Sequence, residues 1–145
     1  MKQIDILKKK LEWEQYYDPY FDWGDWEFYE NNTLTEDFIS EFKDKVNWKH
    51  ISGYQILSED FIREFQDKVS WHNISIEQKL SESFIREFKD NVDWNMISLY
   101  QKLSENFISE FKDKVNWEYI YTHQALSEDF KKEVKKKLNK LGIYL

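Results

Sequence analysis

Residues 80–101 read LSESFIREFKDNVDWNMISLYQ, and two helix starts are written in them. Ser81 precedes Glu82, Phe84 and Ile85, so its hydroxyl can cap the free N–H groups of a helix while the acid faces the positive helix end. Leu80 before the cap and Ile85 at the fourth helical position have the spacing of a hydrophobic staple. Phe84, Ile85, Phe88 and Val92 then form an apolar stripe at helical spacing, which predicts a first helix of about 11 residues. Asp93 is a second cap, followed by a helix of roughly two turns that presents Trp94 and Ile97 three residues apart.

The same phrase recurs outward in both directions. Leu34, Leu57, Leu80, Leu103 and Leu126 are each 23 residues apart, and the step also joins Phe38, Phe61, Phe84, Phe107 and Phe130. It carries Trp48 to Trp71, Trp94 and Trp117, Ile51 to Ile74, Ile97, Ile120 and Ile143, and Gln55 to Gln78, Gln101 and Gln124. First caps fall at Thr35, Ser58, Ser81, Ser104 and Ser127, and second caps at Asn47, Ser70, Asp93, Asn116 and Asn139. A period of this length belongs to solenoids. Neither helix can bury its face alone, whereas stacked hairpins give a continuous core. The expected fold is an all-α solenoid of two-helix repeats: an N-terminal helix and acidic aromatic cap over 1–33, then four full repeats and a truncated fifth over 34–145, one structural domain in all.

The phrase at 80–101 resembles the form LSExFIxEFxDKVxWxxISxYQ found in uncharacterised tandem-repeat proteins of large DNA viruses and bacteriophages. The resemblance covers roughly Leu34 to Ile143, with a dozen positions in phase. It implies a viral origin and a helical repeat, and it brings no catalytic activity. Asn91 stands where the pattern has Lys, and Tyr121 where it has Ser; both departures are expected to affect surface chemistry more than fold.

The ends differ from the repeats. A helix is expected from Lys2 to about Tyr17, with Ile4, Leu7 and Leu11 on one face, stopped by Pro19, the only proline. A degenerate unit follows, in which Trp26 sits 22 residues before Trp48. At the other end Lys140 replaces the repeat Trp, as suits a terminal helix with no neighbour to cover it.

Charge is unevenly placed. From Glu12 to Asp37 there are nine acidic residues and no Lys or Arg, whereas Lys131 to Lys140 holds six Lys against Glu133. The net charge is −7. A polar, directional partner fits this better than nucleic acid bound over the whole surface. With 19 % aromatic residues the chain has ample material for a core, and with no Cys it has neither disulfides nor thiolate metal sites. No apolar run reaches the roughly 18 residues of a membrane span and Met1 to Leu11 has no signal-peptide pattern, so a cytoplasmic chain with no membrane contact is expected, inside the host cell if viral.

Chemistry is hard to find. His50, His72 and His123 fall at different phases of the second helix, without the paired spacing of a metal site. Gly24, Gly53 and Gly142 are the only glycines, so no phosphate-cradling loop is present. The repeated serines lack a base and oxyanion site beside any one of them, and equivalent copies speak for capping. Glu41, Glu64 and Glu110 precede Lys45, Lys68 and Lys114 by four residues, the spacing of ordinary helix-surface pairs. The repeated Gln points to a hydrogen bond with the backbone of the neighbouring unit rather than to a ligand. No enzyme activity, cofactor or metal is expected.

Two surfaces remain. One is the acidic aromatic stretch, with Trp13, Tyr16, Tyr17, Asp18, Tyr20, Asp22, Trp23, Asp25, Trp26, Glu27 and Tyr29 as candidate partner contacts: rings to anchor and acids to meet a basic surface. The bland alternative is a cap over the first repeat. The other is the face of the second helices that varies between units, from which His50, Tyr54, His72, Glu77, Met96, Tyr100 and Tyr119 are drawn, against neutral drift as the alternative. The expectation is a non-enzymatic repeat protein that binds a protein partner with a basic surface, in its sharper form a viral inhibitor of a host nucleic-acid-handling or defence factor by acidic mimicry. The rivals are nucleic-acid binding through Lys131–Lys140 and self-assembly; nucleic acid is the less favoured partner, and the oligomeric state is open.

Overall fold

The structure, a computed structural model, describes residues 23–145. The helix expected from Lys2 and the candidates Trp13, Tyr16, Tyr17, Asp18, Tyr20 and Asp22 lie outside the described residues. Among the described residues the chain is all-α, with ten helices and no strand. They are α1 (Trp26–Asn31), α2 (Glu36–Glu41), α3 (Trp48–Tyr54), α4 (Glu59–Glu64), α5 (Trp71–Glu77), α6 (Glu82–Glu87), α7 (Trp94–Tyr100), α8 (Glu105–Glu110), α9 (Trp117–His123) and α10 (Glu128–Lys140). The chain divides into two compact units, Met1–Ser70 and Trp71–Leu145.

Within each unit the repeats stack as a helical solenoid, second helix on second helix: α1 against α3 in the first unit, α5 against α7 and α7 against α9 in the second. Helices of six or seven residues are too short to be stable in water by themselves. They are held by capping and by burial. Ser81 Oγ accepts from Phe84 N–H at 3.1 Å and Ser104 Oγ from Phe107 N–H at 3.2 Å, while Asp93 Oδ1 accepts from the N–H groups of Asn95 and Met96. Ile39, Ile51, Ile62, Ile74, Ile85, Ile97, Ile108 and Ile120 are completely buried, each contributing roughly 1.5–3 kcal/mol relative to exposure.

The first helix is shorter than its apolar stripe suggests. It stops at Glu41, Glu64, Glu87 and Glu110, six residues in each repeat rather than eleven. At Phe65 the backbone leaves helical geometry (φ −108°, ψ 27°), and residues 65–69 wrap around its carbonyl, which accepts from both Lys68 and Val69 N–H. The turn lets the chain dock on the preceding repeat: Ser70 N–H donates to Ser52 Oγ at 2.9 Å, Asp93 N–H to Ser75 Oγ at 3.0 Å and Asn116 N–H to Ser98 Oγ at 2.9 Å.

The last repeat shows what happens without the docking serine. Its position is held by Tyr121, and α10 runs unbroken for 13 residues through Asn139. Asn139 is therefore interior to a helix and caps nothing, contrary to its register. The helix ends beyond it on Gly142 (φ +78°), where Gly142 N–H bonds to the Asn139 carbonyl and Ile143 N–H to that of Leu138, the bond pair of a Schellman motif.

The helix break also redirects the charges. Past the end of its helix Lys68 has no i,i+4 neighbour and meets Asp44 of the preceding repeat at 3.7 Å, as Lys114 meets Asp90 at 3.5 Å. Arg86 makes a two-pronged contact with Glu110 at 2.8 and 2.7 Å. That hydrogen bonding raises the Arg86 guanidinium and lowers the Glu110 carboxyl from their ordinary values.

Candidate partner-binding surface

Much of what the sequence keeps constant is spent on joining repeats. Gln101 donates through Nε2 to the carbonyls of Ser75 (2.9 Å) and Gln78 (2.8 Å), and its Oε1 accepts Leu80 N–H at 3.1 Å. Gln124 does the same with Ser98, Gln101 and Leu103, and Gln55 with Tyr29, Asn32 and Leu34. The repeat glutamine is a joint, as its constancy suggests. Two further joints are less obvious: the serines just described, which also donate to the carbonyl four residues back, and the glutamate opening each first helix. Glu36, Glu82 and Glu105 accept the N–H of the next repeat's cap, Ser58, Ser104 and Ser127, each at 2.6 Å.

The tryptophans are committed as well. Trp94 lies against Phe107 and Phe111 with ring centres 6.2 and 4.9 Å away, and Trp48 and Trp71 repeat the arrangement on Phe61 and Phe65, and on Phe84 and Phe88. The indole N–H of Trp48, Trp94 and Trp117 donates to the carbonyl of Lys43, Lys89 and Lys112.

The N-terminal candidates divide. Trp23 stacks on Phe42 at 5.5 Å, the role that the spacing to Trp48 assigns to Trp26. Tyr29 is fully buried, its hydroxyl donating to the Trp23 carbonyl at 2.7 Å and accepting Asn47 N–H at 2.8 Å. These two rings belong to the cap. The register of this degenerate unit runs through Tyr29 and Asn32, 23 residues before Ser52 and Gln55, and not through Trp26. Trp26 is consequently 47 % exposed, beside the exposed Asp25, Glu27 and Glu30. Asp25 caps α1 by accepting Glu27 N–H at 3.0 Å.

The variable face also divides. His72 Nδ1 lies 2.8 Å from Asp93 Oδ2, and Asn116 Nδ2 donates to Asn95 Oδ1 at 2.9 Å, so this varying position is matched to the cap of the next repeat. Partial burial pushes the Asp93 carboxyl up, but the hydrogen bonds from His72 and the Met96 and Asn95 amides outweigh it and leave the group below its ordinary value. His50 reaches the Gly24 carbonyl at 3.1 Å and its ring sits 5.4 Å from Tyr29, so it supports the cap. Met96 and Tyr119 are half-buried, with the Tyr119 ring edge-on to His123 at 6.1 Å.

The register position of Tyr54, Glu77, Tyr100 and His123 is exposed in every repeat, as is that of Lys49, His72, Asn95 and Glu118. Tyr54 is 45 % and Tyr100 55 % exposed. Two residues further on, Ile56, Lys79, Lys102 and Ala125 are exposed too, Ile56 at 92 %. Sequence reasoning stopped at the constant Gln and missed this second row, although its three residue types, Ile, Lys and Ala, differ as much as those of the first. In the second unit the two rows border a groove of about 370 Å³ lined by Ile76, Glu77, Lys79, Leu80, Tyr100 and Lys102. A lining that joins Ile76 and Leu80 with the amides of Gln78 and Gln101, a phenol and charges of both signs suits a peptide or loop.

Among the described residues no group of three or more His, Asp or Glu side chains converges as a cation site, and no helix is long and apolar enough to cross a membrane. Compared with protein-family models, curated proteins and solved structures, the chain matches none. The class it belongs to is defined by its own architecture, a helical-repeat protein of 23-residue units.

Proposed function

We propose that this chain is a non-enzymatic helical-repeat protein of viral or phage origin that binds a protein partner inside the host cell. The observation that carries this reading is the contrast between positions: the constant Gln, Ser, Glu and Trp are consumed by inter-repeat joints, while Tyr54 and Tyr100 stay half-exposed at a register position whose residue type changes. Tyr is among the side chains favoured at interface centres, since it brings large contact area with few rotatable bonds. The rows at Glu77, Tyr100, Lys79 and Lys102 would form the specific contact. The acidic group around Trp26 supports the sharper form, in which carboxylates occupy the phosphate-binding surface of a nucleic-acid-handling host factor.

Affinity capture from host lysate with wild type and a Tyr54→Ala/Tyr100→Ala double variant tests it. A protein held by wild type and lost by a variant with unchanged unfolding supports the reading; equal capture by both removes the assigned surface. Capture that recovers no basic protein counts against the mimicry form.

A second reading has an observation of its own: Lys131, Lys132, Lys135, Lys136 and Lys140 are exposed on α10. It makes the chain a nucleic-acid binder and requires steeply salt-dependent binding. No mobility shift at low salt would dispose of it.

A further inference from the structure

The last repeat leaves a tryptophan short of one covering ring. Each of Trp48, Trp71 and Trp94 is roofed by two Phe of the next repeat, the nearer, just past the end of its first helix, with its centre at 4.9 Å. For Trp117 the residue in place of that nearer Phe is Val134, 23 residues after Phe111. The difference opens a groove of about 280 Å³ whose walls include Lys112, Trp117, Phe130, Glu133, Val134 and Lys137. That is below the roughly 300–1,000 Å³ of a small-molecule pocket and nearer the scale of one bulky side chain. Lys137 Nζ covers the indole face at 4.1 Å, and Lys112 and Lys137 outnumber Glu133 in the lining, so the groove carries a net positive charge.

The chain carries the complement of this hole. Trp26 stands exposed on α1 amid Asp25, Glu27 and Glu30, an aromatic knob set in carboxylates. We propose that Trp26 of a second copy enters the groove beside Trp117, taking the place that Phe111 fills against Trp94, while its neighbouring carboxylates meet Lys112 and Lys137. Knob and hole are different patches, so one copy supplies the knob of a contact and the other its hole. The inference does not rest on the partner reading above; a chain that stays monomeric removes it and leaves that reading standing.

Sedimentation of the full chain at low ionic strength is the test. Wild type should show mass rising with concentration beyond the monomer, with the effect weakened between about 0.02 M and 0.5 M salt as the charges are screened. Val134→Phe restores the ring found in the preceding repeats and should abolish association while keeping the helical spectrum. Trp26→Ala, an exposed substitution, should abolish it independently. Mixing the two variants leaves one intact knob and one intact hole, and should give dimers and nothing larger. A wild-type chain monomeric up to about 1 mM, association by either variant equal to wild type, or a mixture that stays monomeric would overturn the proposal.

Discussion

Tyr29 accepts the backbone N–H of Asn47 on its phenol oxygen at 2.8 Å, the bond that Ser75 Oγ makes with Asp93 and Ser98 Oγ with Asn116, each across 18 residues. The cap has thus kept the joint and changed the side chain that makes it. Tyr29→Phe preserves the buried ring but strands the Asn47 N–H and should cost about 1–3 kcal/mol in chemical denaturation. Ser98→Ala should cost a similar amount by stranding the Asn116 N–H. An effect of either substitution below about 0.5 kcal/mol, the level of an ordinary surface change, would deny the joint its role.

Gln101 serves three buried backbone groups at once, which makes it the most exacting of the joints. Gln101→Ala leaves two carbonyls and an N–H without their partner and opens a cavity, so a loss of about 3–5 kcal/mol is expected. Gln101→Glu keeps the volume but turns a donor toward carbonyls into an acceptor, and should be no better at neutral pH. Urea unfolding measures both; a Glu variant as stable as wild type would contradict the assigned amide orientation.

The cap at Ser104 is shared between repeats. Its hydroxyl accepts Phe107 N–H, and its own N–H donates to Glu82. Ser104→Ala should cost about 1 kcal/mol, and Glu82→Ala should destabilise the chain through the same helix start. Because both changes act on one site, their costs combined in the double variant should fall short of the sum. Strict additivity in denaturation midpoints would show the two bonds to be unconnected.

Asp93 gives the chain an acid-side dependence. Its folded-state carboxyl lies below the ordinary value, so its contribution to stability is complete above the unfolded value of about 3.9 and is lost as pH falls through the lower folded one. Asp93→Asn keeps a cap residue of the kind seen at Asn47 and Asn116 but removes the titration. The stability difference between wild type and variant should be level near neutral pH and shrink below about pH 4. A difference that grows on acidification would reverse the sign of the argument.

The repeat, its two caps and the glutamine joint are legible in the sequence because each rests on a residue type recurring at a fixed step. The break at Phe65 is not, since the apolar stripe runs on through Val69 and only the docking of Ser70 on Ser52 demands a turn. Tyr121 holds the signal in negative: where the serine is lost, α10 passes unbroken through Asn139. Tyr29 hides from pattern reading because a phenol and a serine hydroxyl share nothing but an oxygen, while the indole of Trp26 offers a false register one residue away. His72 varies between repeats yet is tied to Asp93, so variation alone does not mark a contact. Both Tyr100 and His72 are exposed; the bond to Asp93 is what separates them, and sequence does not carry it.

On the function proposed above, Glu77 and Tyr100 of the second unit meet a protein partner, and Tyr54 offers the same register position in the first, while the constant residues join repeats. Placing a photo-crosslinking amino acid at position 100, and for comparison at the exposed position 113, tests it directly in host-cell extract. One protein should crosslink at 100 and not at 113; no crosslink at 100, or the same products from both positions, would rule this surface out.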